Sequence, residues 1–188
     1  MTEVHENEIG AQANAVLAFW FGQDPERHWA KDPAFDAEIA SRFGTTRDAT
    51  VACGAAVWRD RPDTLLAAII LIDQFSRNMY RDTAEAFAGD DLAAVLAVRA
   101  IENGWDMVYP PERRAFAYMP LMHAEDVPLQ ALSVAKFEAL GDARNLKFAR
   151  EHRDVIIQFG RYPSRNAALG RSTTAEEAAY LNQPDAGW

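Results

Sequence analysis

Pro62-Asp63-Thr64-Leu65-Leu66-Ala67-Ala68-Ile69-Ile70-Leu71-Ile72-Asp73-Gln74-Phe75-Ser76-Arg77-Asn78 holds the longest strongly apolar run of the chain. Pro62 and Asp63 open a helix, and Leu65 to Ile72 is apolar on every side. A helix without a polar face must be enclosed by other helices. Eight residues are too few to cross roughly 30 Å of hydrocarbon, so the enclosure is protein rather than lipid. The run ends in Asp73, and Arg77 follows four residues on, which puts both on one helical face. A carboxylate beside Ile72 is costly unless it is paired and hydrogen-bonded. Two roles remain open at this point. Asp73 and Arg77 form a buried pair that orients the helix end, or Asp73 aims Arg77, with Asn78 beside it, at a ligand.

The flanking sequence is helical as well. Val16, Leu17, Phe19 and Trp20 read as a first helix from about Ala13, closed by Phe21-Gly22. Asp32-Pro33 caps a helix to Phe43 that Gly44 ends, and Thr46 begins another to Trp58. Short helical material is expected near Ala84 to Phe87, then a helix from Asp90 to Asn103. Pro110-Pro111 starts a helix that Pro120 stops, and Asp126 to Pro128 starts one ending at Leu140-Gly141. A long helix spans 143–158, and Thr173 with Glu176 forms a capping-box pattern for the last helix to Leu181. Alternating β-branched runs are nearly absent. The expected class is all-α: a compact array of roughly nine or ten helices packed as antiparallel pairs, as in bundles or α-solenoids. A single domain covers 1–188, with 1–8 and 183–188 loosely ordered. No interdomain linker is visible, and the only echo of a repeat is Gln74-Phe75-Ser76-Arg77-Asn78 against Gln158-Phe159-Gly160-Arg161.

The chain has 188 residues, 49% hydrophobic and 25% charged, and a net charge of -9. That balance suits one globular domain with a sizeable core. The acidity argues against nucleic acid and membrane surfaces as partners. The acidic, polar start Met1-Thr2-Glu3-Val4-His5-Glu6 does not read as a secretory leader. Cys53 is the single cysteine, so no intrachain disulfide is available and a cytoplasmic location is expected. Among small neighbours it reads as a buried packing thiol.

Against this acidity, 159–171 is basic. It carries Arg161, Arg165 and Arg171 on a turn punctuated by Gly160, Pro163 and Gly170. Arginines there either clasp carboxylates and carbonyls or bind an anion bidentately. His152 falls in register with Phe148, Val155, Ile156 and Phe159, hence on the core side of its helix, close in sequence to the arginines. His123 precedes a helix start and reads as a capping or surface group. His123 and Asp126 lack further ligands at metal-binding spacing, so no metal and no cofactor are expected. No phosphate loop, nucleophile elbow or zinc-protease motif occurs. Trp20, Phe21, Trp29, Trp58 and Trp105 read as core plugs.

Four motifs in order carry a resemblance. They are Phe19-Trp20-Phe21-Gly22, the run Asp73 to Arg81, Pro120 to Asp126, and Phe159 to Asn166 with Leu169-Gly170-Arg171. Together they resemble the bacterial domain-of-unknown-function family 924, over about Val16 to Leu181. The resemblance implies an all-helical, tetratricopeptide-like fold and no assigned activity. Members typically carry histidine where this chain has Ser164. A binding role for Asp73, Arg77, Asn78, Arg161, Arg165, Asn166 and Arg171 is implied by the matching positions.

Three readings of function follow. The first is a binding module that holds a small anionic molecule or a peptide carboxylate at an arginine-rich pocket. The second is a hydrolase or transferase for an anionic substrate with His152 or His123 as acid or base. The third is a scaffold whose arginine network only stabilises the fold. The oligomeric state is not legible in the sequence.

Overall fold

The structure, a computed structural model, describes residues 3–184 and 186–187. The loose ends expected at 1–8 and 183–188 fall partly on residues 1, 2, 185 and 188, outside the described ones. Among the described residues there is no strand, and no helix is long and apolar enough to cross a membrane. The α-helical segments are α1 (Glu3–Phe21), α2 (Pro33–Ala52), α3 (Pro62–Ile69), α4 (Ser76–Met79), α5 (Asp90–Glu102), α6 (Pro111–His123), α7 (Val127–Leu140), α8 (Ala143–Phe159) and α9 (Ala175–Leu181).

The apolar run of the sequence is the centre of the molecule. Residues 64–76 are all buried, and α1, α5 and α6 pack against α3. Each fully buried Leu or Ile there contributes about 1.5–3 kcal/mol. The run is not one regular helix. Between α3 and α4 lies a π-helical turn, Ile70–Phe75. Such a widened turn is rare and is frequent at functional sites. Here it contains Asp73 and Gln74. An aromatic cluster locks α1 to this centre: the Phe19 ring lies 5.0 Å from Phe43 and 6.0 Å from Phe75, and Trp20 lies 5.6 Å from Phe116.

Several boundaries differ from the sequence expectation. α2 continues through Gly44, because Phe35, Ile39, Phe43, Arg47 and Thr50 form one unbroken buried stripe. That burial outweighs the ~1 kcal/mol that a mid-helix glycine costs. The two expected helices merge, and 84–86 is only a 3₁₀ turn. With α3, the π turn and α4 continuous, eight helices result among the described residues. α1 begins at Glu3, earlier than Ala13. α6 runs through Pro120, since Leu121 and Met122 stay buried. The last capping box uses Thr174 and Glu177, one residue later than expected. Cys53 caps the end of α2 and is exposed, not buried.

Gly89 sets the start of α5. A Cβ there would lie 2.5 Å from Ile72 Cγ2. Only glycine lets this chain segment press on the π turn, and it brings the next residue, Asp90, beside Arg77.

Candidate functional site

The end of α6 is the first element of the site. Its last carbonyls have no partner within the helix. The fully buried Gln130 of α7 supplies one: Nε2 donates to Met122 O and Ala124 O, each at 2.7 Å. Tyr162 Oη donates to Met122 O at 2.6 Å. The helix therefore persists to His123, and that ring is fixed over the π turn.

Asp73 is the hub. Its side chain is fully buried, and three donors converge on it. Arg77 Nη1 lies 2.9 Å from Oδ1, Gln74 Nε2 lies 2.6 Å from Oδ2, and His123 Nδ1 lies 2.7 Å from Oδ1. Burial alone raises the Asp73 carboxyl. Arg77, then His123 and Gln74, reverse this and hold it well below the usual carboxylate range. The expected Asp73–Arg77 pairing is present, and it is part of a larger set.

Arg77 continues outward. Its Nη2 donates to Asp90 Oδ2 at 2.9 Å, and Arg165 Nη1 donates to the same oxygen at 2.9 Å. Arg165 Nη2 donates to His123 O at 2.9 Å. The Arg165 guanidinium lies over the rings of Tyr162 and Phe87, 4.4 and 4.8 Å from their centres. Asp90 Oδ1 is buried without a hydrogen bond. Burial, and then the like charge of Arg77, lower the Arg165 pKa from its ordinary value, with Asp90 opposing. Two guanidiniums thus share one carboxylate oxygen.

These groups border a cavity of about 410 Å³. Arg77, Asn78, His123, His152 and Arg165 all line it. Asp73 lies behind them. Asn78 Nδ2 donates to Asp36 Oδ1 at 2.7 Å, and Arg81 binds the same carboxylate at 2.5 Å. His152 Nδ1 meets Phe148 O at 2.8 Å, and the His152 ring lies 6.3 Å from that of His123. Burial, then His123, lower the His152 pKa to about 3, so this ring is neutral near pH 7. Burial, then Arg77, lower His123 too, with Asp73 opposing.

The other three expected site residues lie elsewhere. Arg161 grips Glu177 with Nε to Oε1 at 2.6 Å and Nη2 to Oε2 at 2.9 Å, and also donates to Ser172 O. Asn166 Nδ2 donates to Glu177 Oε2 at 3.2 Å. Arg171 Nη1 donates to Glu125 Oε1 at 2.8 Å, an oxygen that also accepts from Tyr162 N–H at 2.9 Å. None of the three lines the cavity. They clasp the chain after α8 to α9 and to the loop before α7.

Lys31, Gln74, Arg81, Asn145, Tyr162 and Ser164, which no sequence pattern marked as site residues, also line the cavity. The same holds for the apolar wall of Trp29, Phe87, Met119, Met122 and Phe148. Trp29 is 43% exposed, whereas it was expected as a core plug. Of the charged lining residues four are cationic, Lys31, Arg77, Arg81 and Arg165, and one is acidic, Asp82. Asp36, Asp73 and Asp90 balance the arginines from outside the lining. Among the described residues no group of three or more His, Cys, Asp or Glu side chains is placed to hold a metal ion.

Comparison with known proteins adds the family context. A family model described as a bacterial protein of unknown function (DUF924) matches residues 16–185. A solved structure of a protein of unknown function from Agrobacterium tumefaciens is similar, with a TM-score of 0.88 and 36% identity, over 93% of this chain and 99% of that one. No curated protein matches.

Proposed function

The chain belongs to this bacterial family of unknown function, DUF924, and we propose that it binds a small organic anion in the cavity beside Arg77 and Arg165. The observation that carries this reading is the sharing of Asp90 Oδ2 by two guanidiniums that both line the cavity. Arg77 also donates to Asp73 and Arg165 to His123 O, yet these bonds together do not use all the donors of two arginines, each of which has five. An incoming carboxylate or phosphate takes up the remainder through charge-assisted bonds of about 1.5–3 kcal/mol each, less the desolvation it suffers. The apolar wall of Trp29, Met119 and Phe148 suits a hydrocarbon or aromatic body on that anion. The volume lies within the range of small-molecule pockets.

A peptide C-terminus presents the same carboxylate. That variant leans on reading α6, α7 and α8, each packed on the next, as tetratricopeptide-like, an analogy of fold alone. The exposed Cys53 thiol suits a reducing, cytoplasmic setting.

Titration calorimetry with benzoate, succinate, phosphate and a tripeptide tests the reading. Arg165→Gln is expected to weaken the preferred anion about tenfold, equal to about 1.4 kcal/mol. Arg161→Gln is expected to leave it unchanged. Absence of binding by every anion at millimolar concentration overturns the reading.

A further inference from the structure

Behind the cationic wall, one imidazole is held in a single tautomer by a buried carboxylate. Asp73 is ionised, and an ionised carboxylate only accepts. The short contact between His123 Nδ1 and Asp73 Oδ1, at 2.7 Å, therefore has Nδ1–H as donor. In the neutral ring Nε2 is then the lone-pair nitrogen. Among the described residues no protein group hydrogen-bonds Nε2, and it is not among the buried polar atoms lacking a partner. The ring itself lines the cavity, and Arg165 bonds the backbone carbonyl of the same residue. A carboxylate behind an imidazole, with the far nitrogen open to a ligand, fixes the tautomer and stabilises the imidazolium once a proton arrives. The π turn supports this placement, since it carries Asp73 to the ring and Gln74 to the other oxygen of Asp73.

We infer that His123 is a catalytic base, with Nε2 taking a proton from a hydroxyl or water beside an anion held by Arg77 and Arg165, and Asp73 as its positioning residue. The inference rests on the anion-binding reading. In this step the O–H bond breaks, its electron pair stays on oxygen, and Nε2 gains the proton. The freed oxygen bonds to a carbonyl carbon or phosphorus of the held anion, the bond from that atom to its leaving oxygen breaks with the electron pair going to that oxygen, and the proton passes to it from Nε2. The charged and titratable groups around the ring are Asp73 and Arg77 from the π turn and α4, Asp90 from α5, His152 from α8, and Arg165 from the turn after α8. Burial and Arg77 favour the neutral ring, while Asp73 and Asp90 oppose them. A neutral imidazole at pH 7 is ready to accept a proton.

The test uses the full chain carrying Cys53→Ser, which removes the exposed thiol without touching the cavity. Iodoacetate and iodoacetamide alkylate an unprotonated imidazole by the same displacement: an N–C bond forms, the C–I bond breaks, and iodide leaves. Only iodoacetate is an anion. The expected result is carboxymethylation of His123 at Nε2, roughly tenfold faster with iodoacetate than with iodoacetamide. Succinate should slow it, and the rate should fall with acidification through a pKa below the ordinary histidine value. If succinate raises the melting temperature while His123 stays unlabelled, the base inference is overturned and the binding reading stands. If both reagents label His123 at one rate without protection by succinate, the anion site fails, and the inference with it. Asp73→Asn removes a buried charge, so the tautomer is also read by ¹⁵N NMR with Asp73 intact. The proton is expected on Nδ1; finding it on Nε2 overturns the positioning role.

Discussion

Arg165 and Arg161 leave the same turn four residues apart, yet they end in opposite circumstances. Arg161 makes three hydrogen bonds, two to Glu177 and one to Ser172 O, away from the cavity. Arg165 makes two, to His123 O and to the Asp90 oxygen it shares with Arg77, and its face rests on two aromatic rings beside a cavity. The charge is identical. What differs is where the fold puts each guanidinium: on a carboxylate of its own, or at the cavity wall on a carboxylate shared with a second arginine. An arginine with its own carboxylate away from the cavity is a clasp, and the two that share Asp90 at the cavity wall are where we propose that the anion sits. Arg171 on Glu125 belongs with the clasp, and Arg77 with the cavity.

The comparison can be broken most severely at Asp73. Asp73→Ala strips the cavity side of its buried carboxylate and leaves Arg77 and His123 unmatched. The expected loss is about 3–5 kcal/mol of unfolding free energy by denaturant titration. A change under ~1 kcal/mol would mean that Asp73 does not organise the site.

Acid is a second way to break it. His152 has a folded pKa of about 3, below its unfolded value of 6.5. The unfolded chain therefore binds a proton first on acidification. The stability due to the neutral ring is complete above pH 6.5 and is lost as the pH falls from there towards 3. The slope should approach 1.4 kcal/mol per pH unit in mid-window. His123 and His28 act with the same sign. In His152→Gln the slope should shrink by about one proton; an unchanged slope refutes the assignment.

Gly89→Ala tests how the two halves of the cavity wall meet. The added methyl must displace Ile72, at an expected cost of about 1–3 kcal/mol. Asp90 should shift with α5, so anion affinity should fall as well. Arg165→Gln and Arg161→Gln then separate the regions directly, the first lowering anion affinity about tenfold and the second lowering only the melting temperature. Cys53→Ser touches neither region and should stay within ~0.5 kcal/mol of the parent chain.

Some of this was legible in the sequence because it is local. The apolar run fixes a central helix, and the spacing of Asp73 and Arg77 gives their pairing. Proline and aspartate mark the starts of α2, α3 and α7. The convergence was not legible, because it is long-range: Arg165 meets Asp90 across 75 positions, and His123 meets Asp73 across 50. The π turn was hidden by its own composition, since a run apolar on all sides shows no change of period. The last capping box was ambiguous, because Thr173 with Glu176 and Thr174 with Glu177 have one spacing. Glu177 won through its bonds to Arg161 and Asn166. Gln74, a polar residue inside the buried run beside Asp73, was the one local sign that the carboxylate has partners beyond Arg77.

A crystal soaked in 4-bromobenzoate shows where an anion binds, because bromine marks the ligand by anomalous scattering. The carboxylate is expected on Arg77 and Arg165, with bromine against the wall of Trp29, Met119 and Phe148. A bromine signal confined to Arg161 or Arg171, with the cavity empty, would contradict it.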